Sequence, residues 1–584
     1  MKKGKPIFFL LLIVFIASCH RQQIEIERPN VIIIMTDDQG YGDFGATGND
    51  IIETPAINKF AAESVSFDRF YVSPVCAPSR ASLLTGRYYL RTGVTGVTGG
   101  EETMNDEEVT IAEILKANGY TTGCFGKWHN GANFPYDPVG QGFDHFWGFT
   151  GGIIRNYFDT RIRHNSETVE AGGYLTDFLT DKAMEFIETN KNKPFFCYIP
   201  YNVPHTPIQV HDELFQKYLE KGLDAYDAGI YAMCESVDQN VERLLNKVSA
   251  LNLNENTVIL FLTDNGPNGY RFNAGMKGKK AQVDEGGVRV PLWVRWEGKF
   301  KPHVVTQLTD HIDILPTVLD LCNIPVPDSL RIDGKSLKSL LFDPLVDWPE
   351  RPLFSYFVGK GAVRNNQFRL TLGSDGKQSL FDMIADPSQL KDIALNEPEK
   401  TNELFGLYQN WLEDVQPDAS GFSEELGHPE QPVVDLPVSG GKLHGNLEFK
   451  NRFGYAYDWA VNWKSTDDSF TWDVKVVNDG VYEFFLQYLV PQGSEGAKIE
   501  IQVNGTSLIK EIKEFYIPEA YPNRDQVDRG RLPELKWKNF SWGSLTLKKG
   551  EYKITVKALN IPGPQVGELY GLSIHQPKTN PLFE

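Results

Sequence analysis

The sequence predicts an α/β domain built on a mostly parallel central sheet, followed by a smaller all-β domain. Two observations lead to this fold class. Short apolar runs alternate with helical patterns through most of the 584-residue chain, and the alternation changes to period two towards its end. Strands that alternate with helices form parallel sheets covered on both faces, and ligand sites lie beyond the carboxyl ends of such strands.

Four strand-like runs, rich in β-branched or aromatic residues, each end in polar or charged residues. The runs are Val31 to Met35, Thr121 to Phe125, Phe195 to Ile199 and Val258 to Leu262. The polar residues that follow them are Asp37 and Asp38, then Lys127 and His129, then His205, then Asp264 and Asn265. The helical patterns between the runs are Val109 to Ala117, Leu175 to Ile187 and Tyr226 to Val248. We therefore expect the four polar clusters to converge at one edge of the sheet.

The last third of the chain differs in residue composition and in the period of its apolar residues. Residues 416–445 are crowded with Pro and Gly, which is typical of a linker. In residues 446–584, apolar positions such as Ile554 and Val556 alternate with polar ones, and Asn504 with Gly505 is a hairpin signal. This pattern predicts an antiparallel β-sandwich, an accessory domain of the carbohydrate-binding kind. Five tryptophans here are candidates for stacking on sugar rings, with sandwich core or packing on the catalytic domain as the alternative: Trp459, Trp463, Trp472, Trp537 and Trp542.

The first residues have the features of an export signal. Within residues 1–18, three lysines precede an apolar run from Ile7 to Ile16, which is too short to span a bilayer. The small residues before Cys19 resemble the lipobox of bacterial lipoproteins, which implies lipidation of Cys19 and an enzyme tethered at the cell envelope, in the periplasm or at the outer membrane or cell surface. The alternative is an ordinary signal peptide cleaved nearby.

Composition excludes some classes of function. With 58 basic and 77 acidic residues, the formal charge is -19, which argues against nucleic acid as a partner. A polyanionic substrate would need a local basic pocket. The five cysteines beyond Cys19 are widely spaced, so neither a disulfide scaffold nor a zinc site is expected.

One motif identifies a family. The run Cys76-Ala77-Pro78-Ser79-Arg80 resembles the signature of type I sulfatases, whose cysteine a maturation enzyme oxidises to formylglycine. The other motifs of the family follow in order at Asp37 to Gly40, Gly126 to His129, Pro204 to Pro207, Thr263 to Gly266 and Glu285 to Pro291. The resemblance implies an alkaline-phosphatase-like core at residues 28–325 and a C-terminal subdomain at residues 326–415.

The two acidic pairs predict a metal site. Asp37, Asp38, Asp264 and Asn265 offer hard oxygen ligands, three of them anionic, which suits Ca²⁺ better than zinc. The family resemblance implies that these four positions bind one calcium ion, with the modified Cys76 as a further ligand.

The resemblance also assigns roles around the nucleophile. Formylglycine at Cys76 would be hydrated, so that one hydroxyl attacks sulfur and loss of the second hydroxyl's proton expels sulfate. Arg80, four residues on and thus on the same helix face, would stabilise the hydrate. Lys127 would orient formylglycine and sulfate, and His129 would take the proton of the second hydroxyl.

The remaining two catalytic candidates would contact the sulfate and the leaving oxygen. His205, between two prolines in a loop after a strand, would act as general acid. Lys280 is preferred over Lys277 and Lys279 because it precedes Glu285 by five residues, as the family pattern asks.

The expected substrate is a sulfated polysaccharide or its oligosaccharides. Cationic residues that could line the pocket rim lie between or just beyond the catalytic loops: Arg155, Arg161, Arg163, His164, His211 and Arg271. Two alternatives remain at this point. One is a phosphonate or phosphodiester hydrolase of the same superfamily, although those enzymes present Asp-His where this chain has Asp264 and Asn265. The other is a carbohydrate-binding surface protein with an inactive sulfatase domain.

Overall fold

The computed structural model describes residues 28–416, 423–528, 530 and 532–577. The predicted signal peptide and Cys19 lie outside the described residues. Within the described part of the chain, no helix has both the length and the hydropathy that crossing a membrane requires.

A large mixed sheet forms the centre of the first domain. Its strands in chain order are β1 (Asn30–Thr36), β2 (Val65–Tyr71), β3 (Thr121–Lys127), β4 (His145–Phe149), β5 (Phe158–His164), β6 (Glu167–Tyr174), β7 (Phe195–Pro200), β8 (Thr257–Thr263), β9 (Arg289–Arg295), β10 (His303–Val305) and β11 (Thr309–Asp310). Their order in the sheet is β10-β2-β9-β8-β1-β7-β3-β4-β5-β6, and β11 pairs with β2.

The middle of this sheet is parallel. β1 lies between β7 and β8 and pairs in parallel with both, and β3 pairs in parallel with β7 and β4. The four predicted strands are thus neighbours in the order β8-β1-β7-β3, with their carboxyl ends at one edge. Antiparallel pairing begins only beyond them, at β9 on one side and at β5 and β6 on the other. The predicted mostly parallel sheet is confirmed.

Helices cover both faces of the sheet. They are α1 (Pro55–Ala62), α2 (Cys76–Thr85), α3 (Ile111–Ala117), α4 (Leu175–Asn190), α5 (Asp212–Glu220), α6 (Ala225–Ala250), α7 (Glu285–Val288), α8 (Ile314–Leu321) and α9 (Lys338–Phe342). Successive side chains of a strand point to opposite faces, so Ile33 and Met35 of β1 pack with α2, α3 and α8, whereas Ile32 and Ile34 pack with α1, α4 and α6. The three predicted helices are α3, α4 and α6.

A small subdomain follows, with the antiparallel strands β12 (Leu353–Phe357), β13 (Lys360–Arg364), β14 (Phe368–Leu372) and β15 (Gln378–Asp382) and the helix α10 (Pro398–Val415). A buried ion cluster joins it to the first domain. The Glu285 carboxylate accepts hydrogen bonds from the Tyr71 hydroxyl at 2.7 Å and from Arg369 Nε at 3.2 Å, and Arg364 lies 3.6 Å away. Burial alone would raise the pKa of Glu285, but Arg364 and Arg369 lower it to about 2.

The C-terminal domain is a β-sandwich of two sheets. Its strands are β16 (Glu424–Leu426), β17 (Val433–Pro437), β18 (Lys442–His444), β19 (Glu448–Phe449), β20 (Ala460–Val461), β21 (Ser469–Val476), β22 (Gly480–Leu489), β23 (Lys498–Val503), β24 (Thr506–Glu511), β25 (Phe540–Leu547), β26 (Gly550–Asn560) and β27 (Glu568–His575). The first sheet contains β16, β18, β21, β23, β24 and β26, and the second contains the other six strands.

One expectation about this region needs correction, and one open alternative is decided. The linker prediction for residues 416–445 is wrong in extent, because β16, β17 and β18 lie within it and pair with the long strands β21 and β27. The Pro and Gly residues mark the turns between these short strands. Four of the five tryptophans, Trp459, Trp463, Trp472 and Trp542, are at most 4% exposed, so for these four the packing alternative holds and sugar stacking does not.

The sandwich also packs on the catalytic domain. Gln431 donates to Asn133 Oδ1 at 2.6 Å and accepts from the Phe134 amide at 2.7 Å. On the other side of the contact, Gln526 donates to the Val210 carbonyl at 2.6 Å. Both contacts involve loops at the edge of the sheet where the strand ends converge, so the sandwich lies beside the predicted site.

Candidate active site

The site is built where helix α2 begins, beside the carboxyl ends of the parallel strands. Cys76 is the first residue of α2, at the bottom of a cleft of about 390 Å³ that His129, His205 and Lys280 also line. The amide groups of a helix N-terminus are free to bind an anion, and the helix dipole favours negative charge there. The sequence-predicted convergence of strand ends therefore occurs, around a cysteine placed to face an anionic ligand.

An oxygen cluster lies next to Cys76. One ligand atom each of Asp37, Cys76 and Asp264 lie within 4.8 Å of one another. Asp38 follows in a left-handed conformation (φ 65°), and its amide donates to Asp264 Oδ1 at 3.1 Å, which ties the two strand ends together. Asn265 Nδ2 donates to Asp38 Oδ1 at 2.9 Å.

Three buried oxygens in this cluster fit a cation. Asp37 Oδ1, Asp38 Oδ2 and Asn265 Oδ1 accept no hydrogen bond from any residue that the structure describes. A buried acceptor without a donor is costly, and three of them together on acidic and amide groups are explained by a bound hard cation. The four predicted metal ligands are thus together, and their donor set is all oxygen.

The charges in the cluster are strongly perturbed. Burial raises the pKa of Asp37, and burial with the neighbouring Asp37 charge raises that of Asp264 to about 6. Burial would also raise the pKa of Asp38, but Lys280 holds it below its ordinary value. The protein's own side chains therefore leave Asp37 and Asp264 short of positive charge, which a divalent cation would supply.

Arg80 binds the cluster from helix α2. Its side chain is fully buried, and Nη2 donates to Asp264 Oδ2 at 2.7 Å while Nη1 donates to the Lys127 carbonyl at 2.9 Å. Burial would lower the pKa of the guanidinium, but Asp264 and Asp37 hold it above its ordinary value. Arg80 therefore stays charged and, one helical turn after Cys76, links α2 to the carboxyl ends of β3 and β8.

Lys127 is the last residue of β3, and His129 follows two residues later at the same edge of the sheet. Lys127 Nζ donates to Asp37 Oδ2 at 2.8 Å, so its positive charge partly neutralises the acidic cluster. His129 Nε2 lies 2.9 Å from the Val97 carbonyl, which can only accept, so the ring proton is on Nε2. Nδ1 is then an unprotonated nitrogen, and it is buried without a partner among the described residues. Burial and the Lys127 charge lower the pKa of His129 to about 3, so the ring is neutral at ordinary pH.

A glycine makes room for this ring. A Cβ atom on Gly152 would lie 2.3 Å from His129 Nε2, far inside any normal contact. The neighbouring Gly151 is different, since a Cβ there would meet its nearest atom at 3.7 Å. A side chain at residue 152 would thus collide with His129, whereas a Cβ atom at residue 151 would fit.

His205 and Lys280 complete the cleft. His205 Nδ1 lies 2.7 Å from the Thr206 carbonyl and so carries the proton, and Nε2 lies 3.6 Å from Asp38 Oδ2. Lys280 Nζ is 2.6 Å from Asp38 Oδ1. Lys277 pairs with Asp284 and Lys279 lies over the ring of Tyr270. Of the three lysines, Lys280 is the one in the cleft.

Most of the cationic residues that were expected at the rim of the cleft lie elsewhere. Arg155 does line the cleft, although its guanidinium donates to the Leu532 carbonyl of the sandwich at 2.7 Å. Arg163 donates to Asp137 at 2.6 Å and approaches Gln431 at 3.4 Å, and Arg161 pairs with Glu170 on the exposed β5–β6 hairpin. Arg161 and Arg163 therefore do not line the cleft around Cys76, because the hairpin runs along the sheet edge, where these arginines pair with other groups.

Three further rim candidates are also misplaced. His164 stacks on Trp147 with ring centroids 3.9 Å apart, outside the cleft lining. His211 pairs with Asp177 at 3.2 Å near the start of α5. Arg271 is buried and forms a bidentate pair with Asp43 beneath the Asp38 loop. Arg271 therefore supports the loop that holds Asp38 and is closed to substrate.

Sequence reasoning missed the part of the cleft that the sandwich supplies. Asn451, Phe453, Tyr455 and Ala456, all between β19 and β20, line the same cleft as Cys76. The available signal was two aromatic residues, Phe453 and Tyr455, on either side of Gly454, but nothing local in the sequence connects them to Cys76.

Comparison with known proteins agrees with this geometry. A sulfatase family model matches residues 29–324, and a model of the C-terminal region of N-sulphoglucosamine sulphohydrolase matches residues 277–416. The chain belongs to the sulfatase family and is a hydrolase of sulfuric esters. Both matches end before the sandwich begins.

Individual relatives share about two thirds of the chain. An ulvan-active sulfatase of Formosa agariphila is 30% identical over 67% of this chain and 81% of its own length. An N-acetylgalactosamine-6-O-sulfatase of Bacteroides thetaiotaomicron is 27% identical over 66% of this chain and 93% of its own. The crystal structure of Ps i-CgsB in complex with k-i-k-neocarrahexaose superposes with a TM-score of 0.61 at 30% identity, covering 67% of this chain and 94% of that one.

Proposed function

We propose that the protein removes sulfate from a sulfated polysaccharide or its oligosaccharides, with Cys76 converted to formylglycine and one Ca²⁺ bound beside it. The observation that supports this most is the position of Cys76, at a helix N-terminus within 4.8 Å of two buried carboxylates and in one cleft with two histidines and a lysine. Relatives that act on ulvan or on N-acetylgalactosamine sulfate support the glycan class.

The cation and the modified residue have separate tasks. Asp37, Asp38, Asp264 and Asn265 would hold Ca²⁺, whose charge would draw electron density from the sulfate oxygens as the ester bond breaks. The hydrated formylglycine at residue 76 would supply one hydroxyl for attack on sulfur and a second whose deprotonation releases sulfate. A maturation enzyme would be needed as partner to convert Cys76.

The two histidines divide the proton transfers. His129 is neutral with a free Nδ1, so it is prepared to accept the proton of the second hydroxyl. His205 must donate to the leaving alcohol from Nε2, which is unprotonated in the neutral tautomer described above. Burial holds its pKa well below the ordinary value. The negative charge of a bound sulfate ester would favour the imidazolium, so His205 gains its proton as substrate binds.

The remaining groups position the sulfate. Lys280 lines the cleft with its charge near Asp38, and the buried Lys127 pairs with Asp37 beside it, so both would supply positive charge to the sulfate oxygens. Arg80 acts through Asp264 and the Lys127 carbonyl and is thus a positioning residue. Export and lipid anchoring at Cys19 would place this chemistry at the cell envelope, where intact glycans are met, and nucleic acid is not expected as a partner.

A desulfation screen tests the proposal. Purified, matured enzyme is incubated with a panel of sulfated oligosaccharides, with p-nitrophenyl sulfate, and with phosphodiester and phosphonate esters, and products are followed by mass spectrometry. We expect loss of sulfate from at least one oligosaccharide, and no turnover in Cys76→Ala enzyme. Turnover of phosphodiesters alone would show that the substrate class is wrong, and turnover of aryl sulfates alone would remove the glycan proposal.

A further inference from the structure

The accessory sandwich forms one wall of the active-site cleft. The loop between β19 and β20 contributes Phe453, Tyr455 and Ala456 to the same cavity that Cys76 and Lys280 line. The family models end at residue 416, so this wall is an addition to the shared sulfatase architecture. A ligand bound at Cys76 therefore meets side chains of the C-terminal domain.

The loop is held in one conformation by a buried carboxylate. Asp458 is fully buried and accepts hydrogen bonds from the amides of Asn451 at 3.1 Å, Trp459 at 3.0 Å and Gly454 at 3.3 Å. Thr98 Oγ1 of the catalytic domain donates to the Gly454 carbonyl at 3.2 Å. These bonds fix the loop both to itself and to the wall opposite, so the side chains that it presents are preorganised.

Two aromatic rings at the tip of this loop are exposed. Phe453 is 68% and Tyr455 is 49% exposed, and their rings are nearly parallel (20°) with centroids 5.4 Å apart. The four buried tryptophans of the sandwich show that the domain buries aromatic residues elsewhere. A large apolar pair left in water at the mouth of a cleft, on a fixed loop, marks a binding surface.

The chemistry of the pair defines what it would bind. Uncharged rings offer a flat apolar surface, which matches the face of a pyranose ring formed by C–H groups. They also place no negative charge next to a sulfated ligand, whereas the protein as a whole carries a formal charge of -19. A bare sulfate or a small alkyl ester bound at Cys76 would leave this surface empty.

The cleft also continues past the aromatic pair. Ile153 and Arg155 line both this cleft and an adjoining one of about 290 Å³, whose other walls include Asn156 and, from the sandwich, Tyr521 and Glu534. Two adjoining cavities with a shared border, each lined in part by the accessory domain, match a ligand longer than one sugar ring.

We infer that Phe453 and Tyr455 form a subsite for the sugar unit next to the sulfated one, so that the sandwich selects oligosaccharides over monosaccharide and aryl sulfates. This inference rests on the proposed function, because it requires that sulfate esters of glycans bind at Cys76. It extends that function by giving the C-terminal domain a direct part in substrate binding.

The test compares two substrates and two variants. Phe453→Ala/Tyr455→Ala removes the pair, and Phe515→Ala, which truncates a 54%-exposed aromatic of the same domain outside both clefts, is the matched control. The substrates are the oligosaccharide that wild-type enzyme desulfates best and p-nitrophenyl sulfate. We expect the kcat/KM ratio of oligosaccharide to aryl sulfate to fall about tenfold in the double variant, through KM, and to be unchanged in the control.

A binding measurement separates recognition from chemistry. Calorimetric titration of the same oligosaccharide into Cys76→Ala protein, with and without the aromatic pair, should show about tenfold weaker binding when the pair is absent. Thermal unfolding checks that the exposed substitutions leave stability unchanged. An unchanged ratio and an unchanged Kd, with wild-type enzyme active on the oligosaccharide, would overturn the subsite and leave the proposed function standing. Failure of wild-type enzyme to desulfate any ester would overturn the proposed function and the subsite together.

Discussion

Gly152→Ala should disable the enzyme without unfolding it. The added Cβ would lie 2.3 Å from His129 Nε2, and ordinary contact begins near 3.4 Å, so the ring must move by about 1 Å. That movement breaks the bond to the Val97 carbonyl, which sets the tautomer of His129. A displacement of about 1 Å in a catalytic group costs on the order of 100-fold in rate, so we expect kcat to fall by about that factor.

The neighbouring glycine supplies the control. Gly151→Ala meets no atom closer than 3.7 Å, so its kcat and thermal midpoint should match wild type. In a His129→Ala background, Gly152→Ala should cost nothing further, because the ring that it displaces is absent. The assay is steady-state hydrolysis of the best sulfate ester, with thermal unfolding alongside. If Gly152→Ala retained kcat within about threefold of wild type, the position assigned to His129 would be wrong.

Three other predictions address the cluster and the domain contact. Asp264→Asn removes the carboxylate that pairs with the buried Arg80 at 2.7 Å, so calorimetry should show a loss of about 3 to 5 kcal/mol in unfolding free energy, together with loss of activity. Removing metal by chelation should lower the thermal midpoint and abolish turnover, and Ca²⁺ should restore both; a chelated enzyme of full activity would contradict the cation site. Burial raises the pKa of Glu534 from 4.5 to about 7, so the folded protein favours the protonated side chain. The contribution of Glu534 to stability is therefore fully present below pH 4.5 and is lost as the pH rises through 7, where the buried carboxyl group ionises. Glu534→Gln should therefore raise the thermal midpoint at pH 8 but not at pH 4.5, and the exposed Glu519→Gln should change neither.

The sequence was sufficient for the parts of the site that depend on strand ends and motifs. β1, β3, β7 and β8 were each visible as apolar runs, and parallel pairing by itself brings Asp37, Lys127, His205 and Asp264 to one edge. Helix α2 places Cys76 above Arg80 because their spacing of four equals about one helical turn. These placements follow from local pattern and fold class together.

Contacts between segments that are distant in the chain could not be predicted from local sequence patterns. Arg163 and Arg271 were expected at the cleft because of their positions along the chain, but Asp137 and Asp43, which are brought near only by the folded structure, pair with them instead. The aromatic wall at Phe453 depends on how the sandwich docks, which no local periodicity encodes. The short strand β17 was hidden by the turn-forming residues around it.

Turnover should depend on formylglycine at residue 76. The most direct measurement is sulfate release from the best oligosaccharide by enzyme made with and without a maturation enzyme, with the converted fraction of the Cys76 peptide determined by mass spectrometry. We expect kcat per total enzyme to be proportional to that fraction and to be zero for Cys76→Ala. Full activity in protein whose Cys76 is an unmodified thiol would contradict it.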